Sequence, residues 1–177
     1  MTLFIDSSQS IFAAAVFDNN KNNIYTCHVE TKYKVEEIIN FFNNLPYFSE
    51  IKNIYVNLGP GSFTGSRIAL LYIRTMAQVN SNIKLFASNT YKILSKQHKS
   101  SKLFFLKKFY ISATKNKSYC LEPNKISIVD KKHKEVQIDY KDIFNNFDKY
   151  LDIFIQENLS QIKPIYASEP QIGEIKK

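Results

Sequence analysis

The 177-residue chain is 44% apolar and carries a net charge of +8, enough apolar content for one core or two small lobes. No apolar run approaches the roughly 20 residues of a membrane-spanning helix, which excludes a helical membrane protein. The opening "MTLFIDSSQS" has an acid at Asp6 and no basic start, so no secretory leader is expected, and the isolated Cys27 and Cys120 lack metal spacing and fit a reducing, cytoplasmic setting.

In chain order, "TLFID" and "IFAAAVFD" predict two strands joined by the polar turn "SSQS", and "IYTCHVE" a third after "NNKNN". "KVEEIINFFNNL" predicts a helix with Val35, Ile38, Ile39 and Phe42 on one face, started near Thr31 and followed by Pro46. "KNIYVNLG" is a largely apolar strand leading into a glycine-rich loop. "SRIALLYIRTMAQV" predicts a helix over 66–79 that is apolar nearly all round. Ile68, Leu71, Thr75 and Val79 mark one face, read as core; Ala69, Tyr72, Ile73, Met76 and Ala77 mark another. Such a helix lies deep in a core or is covered on its far side by a partner.

"IKLFAS" predicts a strand and "NTYKILSKQ" a short helix capped by Asn89. The polar "QHKSSK" at 97–102 marks a lobe boundary, dividing the chain into 1–97 and 98–177. Beyond it "LFFLKKFYISA", "KSYCLE", "KISIVD" and "EVQIDY" predict strands. "KDIFNNFDKYLDIFIQENL" predicts one helix, and "KPIYASEP" an extended tail.

Charge is uneven along the chain. Ile51 to Leu121 holds ten Lys, two Arg and no acid, a balance of +12. A one-sign segment of this kind attracts polyanions, although solvated lysines in a lysine-rich chain account for it equally well.

Three of the four glycines fall in the loop Gly59-Pro60-Gly61-Ser62-Phe63-Thr64-Gly65, followed by Arg67. A phosphate-binding Walker loop needs Gly, four residues, then Gly-Lys. Here five residues separate Gly59 from Gly65, and Ser66 stands where the Lys belongs. A dinucleotide fingerprint needs an acid about 20 residues on, and no acid occurs before Glu122. A nucleophile elbow needs Gly on both sides of Ser at two-residue spacing, where Ser62 has Pro60 and Thr64. A tight strand-to-helix turn remains, with Ser62 or Thr64 as cap and an end able to receive an anion or a partner's backbone. His28, His98 and His133 have no paired metal spacing, so no metal site is expected. Asp6, beside Ser7 and Ser8, either caps its turn or holds a metal through water.

"GPGSFTGSRIA" closely resembles the G-P-G-S-F-T-G-x-R-x-G signature of the TsaB (YeaZ) family of bacterial tRNA threonylcarbamoyladenosine biosynthesis proteins. "LFIDSSQSIFAAAVFD" and "KPIYASEP" resemble that family's opening and closing segments. The resemblance covers roughly the first 95 residues well. It implies an α/β fold of the actin/Hsp70/sugar-kinase (ASKHA) type with two lobes, the second shortened here. It implies no catalytic residue in this chain, which instead pairs with and activates the catalytic subunit TsaD, joined by the ATPase TsaE. ATP and metal are then expected in those partners, and no cofactor or metal in this chain.

On these terms Ala69, Tyr72, Ile73, Met76 and Ala77 face the partner, and the loop sets the angle of their helix. The sequence does not say whether a homodimer forms when TsaD is absent; if one does, it buries the same face. The basic segment contributes Lys107, Lys108, Lys115 and Lys117 toward tRNA within the complex. The sequence departs from the family at Ala69, where the signature ends in Gly, and at Ser112-Ala113, where an Asp-Ala-Arg-like strand end is usual. Three rival functions are an ATP-dependent small-molecule kinase of the same fold, a stand-alone RNA-binding domain and a glycopeptidase-like protease. The kinase needs further glycine-rich loops, the RNA binder needs aromatic–basic surface motifs, and the protease needs a metal site or nucleophile.

Overall fold

The computed structural model describes residues 1–99, 108–114, 116–130 and 133–167, without the side chains of Phe63 and Thr114. Strands β1 (Thr2–Asp6), β2 (Ile11–Phe17) and β3 (Asn23–Glu30) form an antiparallel meander. Helix α1 (Lys34–Asn43) leads to β4 (Asn53–Asn57), helix α2 (Phe63–Val79), β5 (Lys84–Ser88) and helix α3 (Thr90–Gln97). β4 and β5 run parallel to β1, as connections through helices require. The sheet order is β3-β2-β1-β4-β5-β9, with β9 (Ile155–Glu157) antiparallel to β5. A second, three-stranded antiparallel sheet joins β6 (Phe109–Thr114), β7 (Lys117–Glu122) and β8 (Lys125–Val129).

The large sheet has a core on each face. On one, Leu3, Ile5, Phe12, Val16 and Val56 pack against Ile38, Phe41 and Phe42 of α1 and Leu70, Ile73 and Met76 of α2. On the other, Phe4, Ala13, Phe17 and Tyr55 pack against Ile93 and Leu94 of α3, Phe109 and Leu121 of the small sheet, and an aromatic group at 140–154. Central strand β1 is buried on both faces and reads as an unbroken apolar run. β3, at the sheet edge, alternates in exposure.

The expected strands and helices up to residue 97 are present, with one shift: α2 starts at Phe63, three residues before its apolar run, because Ser62 caps it. Asn89 caps α3, accepting from Lys92 N at 2.9 Å. Two later expectations are corrected. The single helix expected over 141–159 is a short helix α4 (Tyr140–Asn145), a 3-10 helix (Phe147–Ile153) and then β9. Phe144, Phe147 and Tyr150 recur every three residues, the 3-10 period, and all three are buried. "EVQIDY" forms no ladder strand. Val136 N donates to Tyr110 O at 2.7 Å, and the alternation of Val136, Ile138 and Tyr140 arises because these residues face the core.

Candidate functional site

At the end of β1, Asp6 is fully buried. Its Oδ1 accepts from Ser8 N at 2.8 Å and Ser8 Oγ at 2.7 Å, and its Oδ2 from Asn57 Nδ2 at 2.7 Å and Tyr140 OH at 2.8 Å. Four donors from three distant segments therefore converge on one carboxylate. The arrangement fits a structural anchor that ties β1, β4 and α4 together, as a buried charge requires, and gives no support to a water-bridged metal. Among the described residues, no three His, Cys, Asp or Glu side chains group to hold a metal ion. The sequence showed Asp6 and its turn, but Asn57 and Tyr140 lie too far along the chain to be linked to it by spacing.

Burial, and then the charge of Asp6, hold the Tyr140 hydroxyl well above its usual range. Burial and a hydrogen bond to Asp142 likewise raise Tyr150. Both phenols bind their protons more tightly in the folded chain than in the unfolded one. Their contribution to stability is complete below the ordinary tyrosine pKa of 10.0 and falls as pH rises past it. The chain is expected to lose stability progressively above that pH, which urea titrations at a series of alkaline pH values would read.

The glycine loop closes back onto the β1–β2 turn. Ser62 N donates to Ser8 O, Ser7 Oγ donates to Gly65 O at 2.9 Å, and Gly65 N donates to the capping Ser62 Oγ at 3.4 Å. Gly59 sits at φ +97°, the left-handed region that favours glycine. A Cβ on Gly61 would overlap the Ser8 carbonyl, and one on Gly65 would meet the Ser7 carbonyl and, at 2.6 Å, Lys34 Cδ. Backbone against backbone thus accounts for two of the glycines. Gly61→Ala is expected to cost about 3 kcal/mol, the upper end of overpacking effects, measurable as a lowered urea midpoint. Arg67 follows the loop, and its Nε donates to Tyr166 OH at 2.8 Å with the guanidinium over the ring. The signature is in this way tied to the closing "KPIYASEP" segment.

The expected partner-facing residues require correction. Ala69, Ile73 and Met76 are buried in the core between α2 and the sheet. Tyr72 and Ala77 are half-buried, Tyr72 stacked on Phe42 at a centroid distance of 4.5 Å. Of the stripe read as core, Ile68 is half-buried and packs against the core, but the rest is the outer face: Leu71 is 65% exposed and Val79 83% exposed, with Thr75 between them. Apolar periodicity marks two faces without saying which meets the sheet; the small Ala69 allows close approach, and here it approaches the sheet. Beside the exposed stripe lies an apolar groove of about 310 Å³, lined by Phe42, Phe48, Tyr72, Met76, Val79 and Ile83.

Of the lysines expected to face tRNA, Lys108 pairs with Glu122 at 3.0 Å and Lys117 with Asp130 at 2.7 Å. Lys107 and Lys115 lie outside the described residues. The acids that partner Lys108 and Lys117 come from outside the acid-free segment, so folding softens the local charge excess that the sequence suggests.

No family model matches the chain. A Mycoplasma pneumoniae protein described as "Uncharacterized protein MG208 homolog" is 31% identical over 74 residues, which are 42% of this chain and 34% of that protein. The chain thus aligns with about a third of the length of this relative. A solved structure described as an uncharacterized protein with similarity to peptidase YEAZ from Pseudomonas aeruginosa superposes with a TM-score of 0.64 at 14% identity, covering 94% of this chain and 99% of that one. The fold is YeaZ-like. YeaZ from Pseudomonas aeruginosa itself superposes with a TM-score of 0.56 at 18% identity, over 78% of this chain and 71% of that one. The YeaZ-like architecture is therefore kept at an identity too low to say more than fold. None of the helices among the described residues is long and apolar enough to cross a membrane.

Proposed function

We propose that this chain is a non-catalytic subunit of the bacterial complex that installs a threonylcarbamoyl group on the adenosine beside the anticodon of tRNAs. It pairs there with a TsaD-like catalytic protein, and a TsaE-like ATPase joins the pair. The observation that supports this reading best is the apolar surface on α2, with Leu71, Val79 and the groove beside Phe48 open to solvent, on a YeaZ-like fold. Large apolar side chains left open to solvent beside an apolar groove fit a contact with another protein. The sheet order β3-β2-β1-β4-β5 with helices on both faces fits the first lobe of the ASKHA fold, to which β9 returns from beyond residue 98, and the three-stranded sheet β6-β7-β8 alone fits a reduced second lobe.

In this reading ATP and metal chemistry belong to the partners, and the complex works in the cytoplasm. The same α2 surface closes a homodimer when the partner is absent. Lys107, Lys108, Lys115 and Lys117 lie toward tRNA in the assembled complex. The deciding experiment co-expresses this chain with its TsaD-like protein, tests co-purification, and quantifies modified adenosine in tRNA with and without this chain. Absence of pairing, or modification at an equal rate without the chain, would overturn the proposal. So would turnover of ATP or threonylcarbamoyl-adenylate by the purified chain alone.

A further inference from the structure

Two clefts meet at one lysine. The first, of about 420 Å³, lies between the two sheets, with Ser8 and Gln9 on one wall and Ser112, Tyr119 and Gln137 on the other. The second, of about 730 Å³, is bounded by Thr31, Lys32, Val35 and Thr64. Both are lined by Ser10, Lys34 and Ser62, and Lys34 is the one charged side chain they share. These are volumes at which small-molecule sites occur. Lys34 is half-buried at the start of α1 and crosses Gly65, where a Cβ would stand 2.6 Å from its Cδ. Its Nζ donates to the Gln9 carbonyl.

The ion pairs Lys96–Asp152, Lys108–Glu122 and Lys117–Asp130 leave Lys34 out. The carboxylate acting on it electrostatically is Asp6, which four donors already hold. Burial pulls the Lys34 ammonium below its ordinary pKa. A half-buried ammonium with one carbonyl partner retains two further N–H donors. Glu135 lines the first cleft and Glu30 the second, so each cleft has an acid in its lining and the lysine at their junction.

We propose that Lys34, with the hydroxyls of Ser10 and Ser62, binds the phosphate group of a small phosphorylated molecule whose remainder occupies the cleft between the sheets. A terminal phosphate offers three free oxygens, matching an ammonium and hydroxyls that border both clefts. A carboxylate offers two. Binding replaces the hydration that burial has already thinned around Lys34 with charge-assisted hydrogen bonds. The site is a property of the isolated chain and does not rest on pairing with a catalytic subunit.

The test uses the full chain at constant ionic strength. Thermal midpoints and calorimetric titrations are recorded with inorganic phosphate, glycerol 3-phosphate, acetate, and a short RNA lacking terminal phosphates, with chloride as control. Lys34→Gln is compared with Lys32→Gln, and circular dichroism checks that both fold. Phosphate and glycerol 3-phosphate are expected to raise the midpoint of the wild-type chain and of Lys32→Gln. Lys34→Gln is expected to weaken binding on the order of tenfold or more, the effect of losing a charge-assisted bond. A tighter fit for glycerol 3-phosphate than for phosphate supports a phosphoester as the source of the group, and the reverse order supports the free ion. The proposal is overturned by an effect no larger than chloride's, by acetate binding as tightly as phosphate, by binding of the RNA alone, or by equal binding to Lys34→Gln. Should Lys34→Gln not fold, the side-chain NMR resonances of Lys34 in the wild-type chain decide. Phosphate that leaves them unmoved overturns the proposal.

Discussion

Ile73→Glu is expected to unfold the isolated chain, whereas Leu71→Glu, two residues away on the same helix, is expected to leave it folded. Ile73 is fully buried against the sheet. A carboxylate there has no partner, and an unpaired buried charge costs roughly 3–5 kcal/mol, to which the lost apolar burial adds about 2 kcal/mol. A typical domain has only about 5–15 kcal/mol in total. Leu71 faces solvent, so its substitution stays within about 0.5 kcal/mol in the monomer. Its consequence lies in pairing: a desolvated lone charge in an interface weakens affinity on the order of a thousandfold. Far-UV spectra and urea midpoints of the two variants, with pull-down of the TsaD-like partner, check both halves. A folded Ile73→Glu chain would contradict the packing of α2, and a pairing-competent Leu71→Glu would contradict the surface assigned to the partner.

The second large effect is expected at Asp6. Asp6→Ala removes the acceptor shared by Ser8, Asn57 and Tyr140 at one stroke, leaving Asn57 only its longer bonds to Ser8 Oγ and Thr90 Oγ1 and the other donors buried. The loss is expected to be about 4 kcal/mol, in the range seen when one member of a buried polar network is deleted. Asp6→Asn keeps the shape and one carbonyl acceptor but turns an amide toward donors, and is expected to lose about half as much. Denaturant titration separates the two. Equal stability of wild type and both variants would show that the convergence on Asp6 holds nothing together.

Most of the first hundred residues were legible because each local signal agreed with the global arrangement. The unbroken apolar run of β1, Ser62 and Asn89 as caps, and the glycines of the loop each point to the conformation found. What was not legible depends on distance along the chain. Nothing near Asp6 announces Tyr140, 134 residues away. Lys34 opens α1, and nothing in its local sequence shows that the glycine loop comes to rest beside it. The orientation of α2 failed for a different reason: with apolar residues on both sides, the sequence sets the helix but not which side meets the sheet. At 141–159, where the sequence predicts one helix, the aromatic spacing of three was the available sign of a 3-10 turn.

Strand β9 brings the last described segment of the chain back to the first sheet, with Leu85 opposite Glu157. During synthesis this makes β5 the final strand to gain its neighbour. About 70 residues must leave the ribosome after β5 before residues 155–157 can dock on it, and until then its outer backbone groups remain available to other chains. The nascent chain therefore passes through an interval in which a sheet is formed but still adhesive. Translational pausing within 98–150, or truncation ahead of Ile155, is where self-association of this protein would begin.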